Sequence, residues 1–164
     1  MLKQTTNNLL MMSLTKALSA DCVQAQLAVT SQKRALEHIS ALLAHEDTAQ
    51  QDAIFAALLA REKIGSTALG NGMALPHAHL DSLTEPRIAL LTLAEPIEFE
   101  GSDVPVDLFV GLVVPQDNPE AHVALLSHIT TLLRQEGLRA TLREAQDNGS
   151  LYNAVLMATV VHED

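Results

Sequence analysis

The sequence predicts a single α/β domain in which helices flank a few central strands. Three observations carry this. A length of 164 residues suits one ordinary domain and is too short for two full ones. Residues 87–94 and 106–114 are nearly continuous apolar runs, the pattern of strands buried on both faces. On either side of them, apolar residues recur at helical spacing.

Residues 1–13 are polar or weakly patterned and are expected to form a flexible arm, with the folded domain at 14–161. The apolar run Leu9–Met12 stops at Ser13 and meets Lys16 soon after, short of the roughly 7–15 uninterrupted residues of a signal segment. Asp21 before Cys22 breaks any lipoprotein box, and no segment approaches the ~20 apolar residues that span a bilayer. A cytoplasmic protein without membrane insertion is expected. The arm leads into a first helix or strand. Ser31 can cap a helix whose stripe is Ala35, Leu36, Ile39, Leu42 and Leu43. A second helix starts near Thr48, carries Ile54, Ala57 and Leu58 on one face, and ends at Gly65. Gly70-Asn71-Gly72 marks a turn, followed by an extended piece, Met73–Pro76. After the two apolar runs, Asn118 can cap a helix with Pro119 at its first position and a stripe of Leu125, Leu126, Ile129, Leu132 and Leu133. Shorter helices follow at about 138–145 and 149–161.

Composition excludes several functions. Ten Lys and Arg stand against 20 Asp and Glu, a formal charge of −10 that phosphate backbones would repel, so no nucleic-acid partner is expected. Aromatics make up 2% of the chain, with no Trp, too few for a platform that stacks bases or sugars. A single cysteine forbids an internal disulfide and points to a reducing compartment. Seven histidines remain as the chemically interesting residues.

His77 follows the Gly70–Pro76 segment, where Pro76 stiffens the lead-in and biases Leu75 toward extended backbone. That is a good way to hold an imidazole at the end of a sheet, although a loop can also carry an ordinary surface histidine. His122 lies in the middle of its helix's apolar stripe, at the first turn. Alone it reads as a core histidine, yet a helix N-terminus is also a ready anion site. Arg61 falls on the buried stripe of the second helix, either snorkelling past the core or reaching an anion with its planar fork. Together they suit one chemistry, in which a neutral histidine attacks a phosphoryl group and carries it.

Four ordered motifs sharpen this: residues 61–67 (Arg-Glu-Lys-Ile-Gly-Ser-Thr), 70–77 (Gly-Asn-Gly-Met-Ala-Leu-Pro-His), 105–109 (Pro-Val-Asp-Leu-Phe), and the spacing from Pro115 to His122. They resemble the fructose/mannitol type of enzyme IIA of the bacterial phosphoenolpyruvate-dependent phosphotransferase system, above all its nitrogen-related regulatory branch. Residues 33–37, 145–146 and 151–152 fit that branch, and the resemblance spans about 14–157. It implies a mixed central sheet flanked by helices, an enzyme IIA type 2 domain at 14–161, and a phosphotransferase component rather than an enzyme with its own small-molecule substrate. It implies that His77 accepts a phosphoryl group from an HPr-like carrier, that Arg61 and His122 line the site, and that Ser66 and Thr67 lie close by. No cofactor is implied. The partners implied are regulatory targets such as potassium-transport proteins or a sensor kinase. The alternative is a stand-alone sugar-specific enzyme IIA that passes phosphate to a IIB protein. His79 stands where such proteins often have Lys or Thr. Facing the same way as His77 on an extended segment, it either assists the site or competes as an acceptor.

A zinc site made of His77, His79 and His122 is the main rival from the residues alone, since three ligands and one open position describe a catalytic zinc centre. A pure interaction module is the third reading. The remaining histidines read as unremarkable: His38 on the polar side of its helix, His45 in a linker, His128 on a helix flank at the surface, and His162 in the tail. Cys22 reads as a buried or half-buried thiol.

Overall fold

This computed structural model describes residues 14–161; the arm expected at 1–13 and His162 lie outside the described residues. A helical turn at 14–17 leads into β1 (Leu18–Leu27), followed by α1 (Gln32–Ala44), α2 (Thr48–Ile64), β2 (Ala68–Gly70), β3 (Met73–Ala74), β4 (His77–Leu80), β5 (Arg87–Ile97), β6 (Val106–Pro115), α3 (Pro119–Leu133), α4 (Glu136–Glu144) and α5 (Asn148–Val161). The two apolar runs are β5 and β6, an antiparallel pair at the centre of a six-stranded mixed sheet in the order β1-β5-β6-β3-β2. β1 joins β5 in parallel, and β2 joins β3 antiparallel.

The free edge of β6 is shared. Met73 and Ala74 of β3 pair with Leu108 and Phe109, and residues 77–80 of β4 pair with residues 112–115. Leu75 and Pro76 bridge the two short strands. Pro76 cannot donate a ladder bond, but its carbonyl accepts one from Leu112 N at 2.9 Å, so the edge continues through the interruption. The expected extended piece thus belongs to the sheet, and it sets His77 opposite Leu112.

Helices cover both faces, as the apolar runs require. α1 lies over β5 and β6, and α2 packs on α1 and β4. On the other face, Ile129, Leu132 and Leu133 of α3, Leu142 of α4 and Val155 of α5 gather with Ile88, Leu90 and Val110. The caps form as their residue types dictate. Ser31 Oγ accepts from Arg34 N at 3.2 Å, Asp47 Oδ1 from Gln50 N at 3.1 Å, and Asn118 Oδ1 from Ala121 N at 3.2 Å. Gly65 closes α2 in an extended conformation, φ 176°, rather than in the left-handed one.

The turn before the site is left-handed at three consecutive residues, with φ of 88° at Gly70, 54° at Asn71 and 74° at Gly72. Glycine and asparagine tolerate this region best. Arg143 of α4 clamps the turn, donating to Asp107 Oδ1 at 3.0 Å and to the Asn71 carbonyl. A Cβ on Gly72 would lie 2.8 Å from Arg143 Nη2, so only glycine leaves room for the clamp. Cys22 is fully buried, as read from the sequence, with its thiol 3.3 Å from the Leu42 carbonyl. His128 is half-buried rather than on the surface, because the flank of α3 is partly covered. No helix among the described residues is long and apolar enough to cross a membrane.

Candidate active site

His77 opens β4, held from outside by the Leu112–Pro76 bond and from within by its own ring. His77 Nδ1 lies 2.8 Å from the Leu75 carbonyl. A carbonyl can only accept, so Nδ1 carries the proton and donates it, and Nε2 keeps its lone pair. The ring is half-buried. Burial pushes its pKa below the ordinary 6.5, with Arg61 and His79 acting the same way and the Leu75 hydrogen bond and Glu62 opposing. The imidazole is therefore neutral near pH 7, with one nitrogen committed and the other available as a nucleophile.

His122 meets it from α3. The ring centroids of His77 and His122 are 5.7 Å apart, and those of His79 and His122 are 4.3 Å apart. His122 is buried, at 7% exposure, as its place in the stripe leads one to expect, and its ring faces the two other imidazoles. Burial, reinforced by His79 and His77, lowers its pKa to about 4. Its Nδ1 is buried without a hydrogen-bond partner among the described residues.

This depression has a consequence for stability. Between pH 6.5 and about 4 the unfolded chain protonates this histidine while the folded chain does not. The unfolded state then binds more protons, so stability falls as pH drops through that window. The same sign holds for His77. His122→Gln is expected to flatten this acid limb, read as a smaller difference between urea midpoints at about pH 4.5 and about pH 7 than the wild type shows.

The second helix contributes two groups. Arg61 is half-buried near the end of α2, and its Nη1 donates to the Gly65 carbonyl at 2.7 Å, which aims the guanidinium past the helix end. It is near enough to His77 to disfavour a second positive charge there. Glu62, which the motif reading did not single out, accepts from both the amide and the hydroxyl of Thr67. The Thr67 carbonyl in turn accepts from Leu75 N at 2.9 Å. A chain of bonds thus runs from Glu62 through Thr67 to Leu75 and His77. Its only sequence signal was Glu62 standing beside Arg61.

Thr67 is linked to the His77 anchor through Leu75, and the hydroxyls of both Ser66 and Thr67 are engaged. Ser66 Oγ donates to the Glu100 carbonyl at 2.6 Å, and Thr67 Oγ1 bonds Glu62. The zinc reading meets a correction. The three histidines converge, yet among the described residues no three His, Cys, Asp or Glu side chains are placed to hold a metal ion.

Comparisons with known proteins agree with the geometry. The chain matches the family described as phosphoenolpyruvate-dependent sugar phosphotransferase system, EIIA 2, over residues 16–157. It is 37% identical over 152 residues to a nitrogen regulatory protein of Escherichia coli (strain K12), covering 92% of this chain and 93% of that protein. A nitrogen regulatory protein of Pseudomonas aeruginosa is 41% identical over 128 residues, 77% of this chain and 83% of the relative. The crystal structure of nitrogen regulatory protein IIA-Ntr from Neisseria meningitidis matches with a TM-score of 0.79 at 28% identity, covering 87% of this chain and 98% of that one. With the mixed sheet, the flanking helices and the ordered motifs all in agreement, the chain belongs to the EIIA type 2 family of the phosphoenolpyruvate-dependent sugar phosphotransferase system.

Proposed function

We propose that this protein is a phosphohistidine carrier that takes a phosphoryl group from an HPr-like protein onto His77 Nε2. The observation that supports this most directly is the Leu75 carbonyl on His77 Nδ1, which leaves the opposite nitrogen deprotonated and pointing away from its anchor. In the transfer, the Nε2 lone pair attacks phosphorus as the donor's N–P bond breaks, and that electron pair returns to the donor's ring. The His77 ring gains positive charge, and its Nδ1–H bond to the Leu75 carbonyl strengthens accordingly. The phosphoryl oxygens are met by the Arg61 guanidinium and the mouth formed by His122 and His79. Ser66 and Thr67 serve by fixing the backbone that holds Leu75.

The similarity to nitrogen regulatory proteins favours a regulatory use of the phosphoryl group, with cytoplasmic partners bound according to phosphorylation state, potassium-transport proteins or a sensor kinase among them. Incubation with phosphoenolpyruvate, the first enzyme of the system and an HPr-like carrier is expected to add one acid-labile phosphate. A protein that stays unlabelled would overturn the reading. Arg61→Ala is expected to slow this labelling on the order of 10²-fold while the thermal midpoint moves little, because it removes an oxyanion donor at the cost of one helix-end bond. Wild-type rates in that variant would remove Arg61 from the site.

A further inference from the structure

His79 is the imidazole whose role the motifs leave open. It lies two residues beyond His77 on β4, and alternate residues of a strand share a face. Its ring packs nearer to His122 than that of His77 does, at 4.3 against 5.7 Å. His122 is buried, His77 is half-buried and His79 is exposed, so His79 forms the outer lip of one three-ring mouth.

The surrounding charges limit what else can meet a phosphoryl dianion there. From α2 come Arg61, tied to the Gly65 carbonyl, and Glu62, tied to Thr67. β4 carries His77 itself, with Asp81 just past its end. β6, paired beside it, sets Leu112 against His77 and Val114 against His79, and residues 112–115 offer no charge. α3 brings His122, with Glu120 in its first turn and Asp117 just before it. Arg61 is thus the one permanent cation among these groups, and its reach is fixed from the helix end. Burial keeps both His77 and His122 in their neutral forms near pH 7.

We propose that His79 is a catalytic residue of the exchange: a ring N–H of its imidazole donates a hydrogen bond to a phosphoryl oxygen while that group moves between the carrier and His77 Nε2. The N–P bond to the carrier breaks as the bond to His77 forms, and the His79 proton stays on His79, stabilising the oxygen without being transferred. The inference rests on His77 being the acceptor. It makes the rate of exchange depend on a donor at the lip of the mouth, a part that a lysine in the same place could also play.

The test compares wild type with His79→Lys, which keeps a donor, and His79→Leu, which keeps bulk without one; both are tolerable at an exposed position. Initial labelling rates from the phosphorylated HPr-like carrier are measured at a single pH near 7. His79→Leu is expected to lose about tenfold in rate and His79→Lys to stay within about threefold of wild type. A side chain that only shaped the mouth would leave His79→Leu near the wild-type rate or slow both variants alike, which overturns the proposal while keeping His77 as acceptor. A wild type that takes no label overturns the acceptor reading and this inference together.

Discussion

His77→Ala is expected to abolish labelling from the HPr-like carrier, by at least 10³-fold on the order of nucleophile deletions elsewhere, while leaving the fold in place. The two halves of this expectation come from different atoms. The nucleophile is Nε2, and alanine removes it outright. The position of β4 depends on its backbone, which pairs residues 77–80 with residues 112–115, and on the Pro76 carbonyl that accepts from Leu112 N. The His77 side chain adds one hydrogen bond to Leu75, a net contribution of about 1 kcal/mol. Its loss is offset in part, because a polar ring no longer has to be kept half-buried. The variant should therefore melt within a few degrees of wild type and carry no acid-labile phosphate. Labelling at the wild-type level would sink the acceptor assignment. Label found on His79 instead would show that the mouth can load a second imidazole once the first is gone.

What made His77 legible in the sequence was its stiff lead-in, and the same local logic exposed Asn118 with Pro119, Ser31, and the two apolar runs. Each of these signals lives within a few residues of the atom it positions. The parts that stayed hidden are non-local or lie in the backbone. The Leu75 carbonyl that sets the His77 tautomer has no side-chain signature. Glu62 acquires its meaning only when Thr67 folds back against Leu75. Arg61 was legible as a misplaced cation on an apolar stripe, but its anchor at Gly65 was not. The sequence leaves β1 open between helix and strand for a physical reason: its pairing with β5 shifts register twice, and Gln26 sits at φ 57°, so inward and outward residues lose strict alternation. His122 showed the limit of helical periodicity. A place in the stripe correctly predicted burial, and burial against two other imidazoles is what keeps it neutral.

Gly111→Ala is expected to destabilise the domain by about 2–3 kcal/mol, a loss of roughly 5–10 °C in thermal midpoint for a chain of this size. By propensity alone the change should help, since glycine weakens a strand interior. The packing reverses the sign. Gly111 is buried in the middle of β6, and its cross-strand partner on β5 is Ala89, also fully buried. The two small residues form a shallow seat on which α1 rests. A Cβ at 111 would lie 2.4 Å from Ile39 Cγ2 and 3.5 Å from Leu43 Cδ1. Ile39 is fully buried and β-branched, so its methyl cannot rotate out of the way as the end of a flexible side chain could. Either α1 lifts from the sheet or Ile39 leaves its rotamer, and each loses contacts across a close-packed face. A double-mutant cycle isolates this cause. Ile39→Ala alone should cost about 2–5 kcal/mol through the cavity it leaves. In the Gly111→Ala background the same change should cost at least about 1 kcal/mol less, because the new methyl occupies part of the space that Ile39 vacates. Additive costs within about 0.5 kcal/mol would mean that the strain lies elsewhere than in the seat of α1.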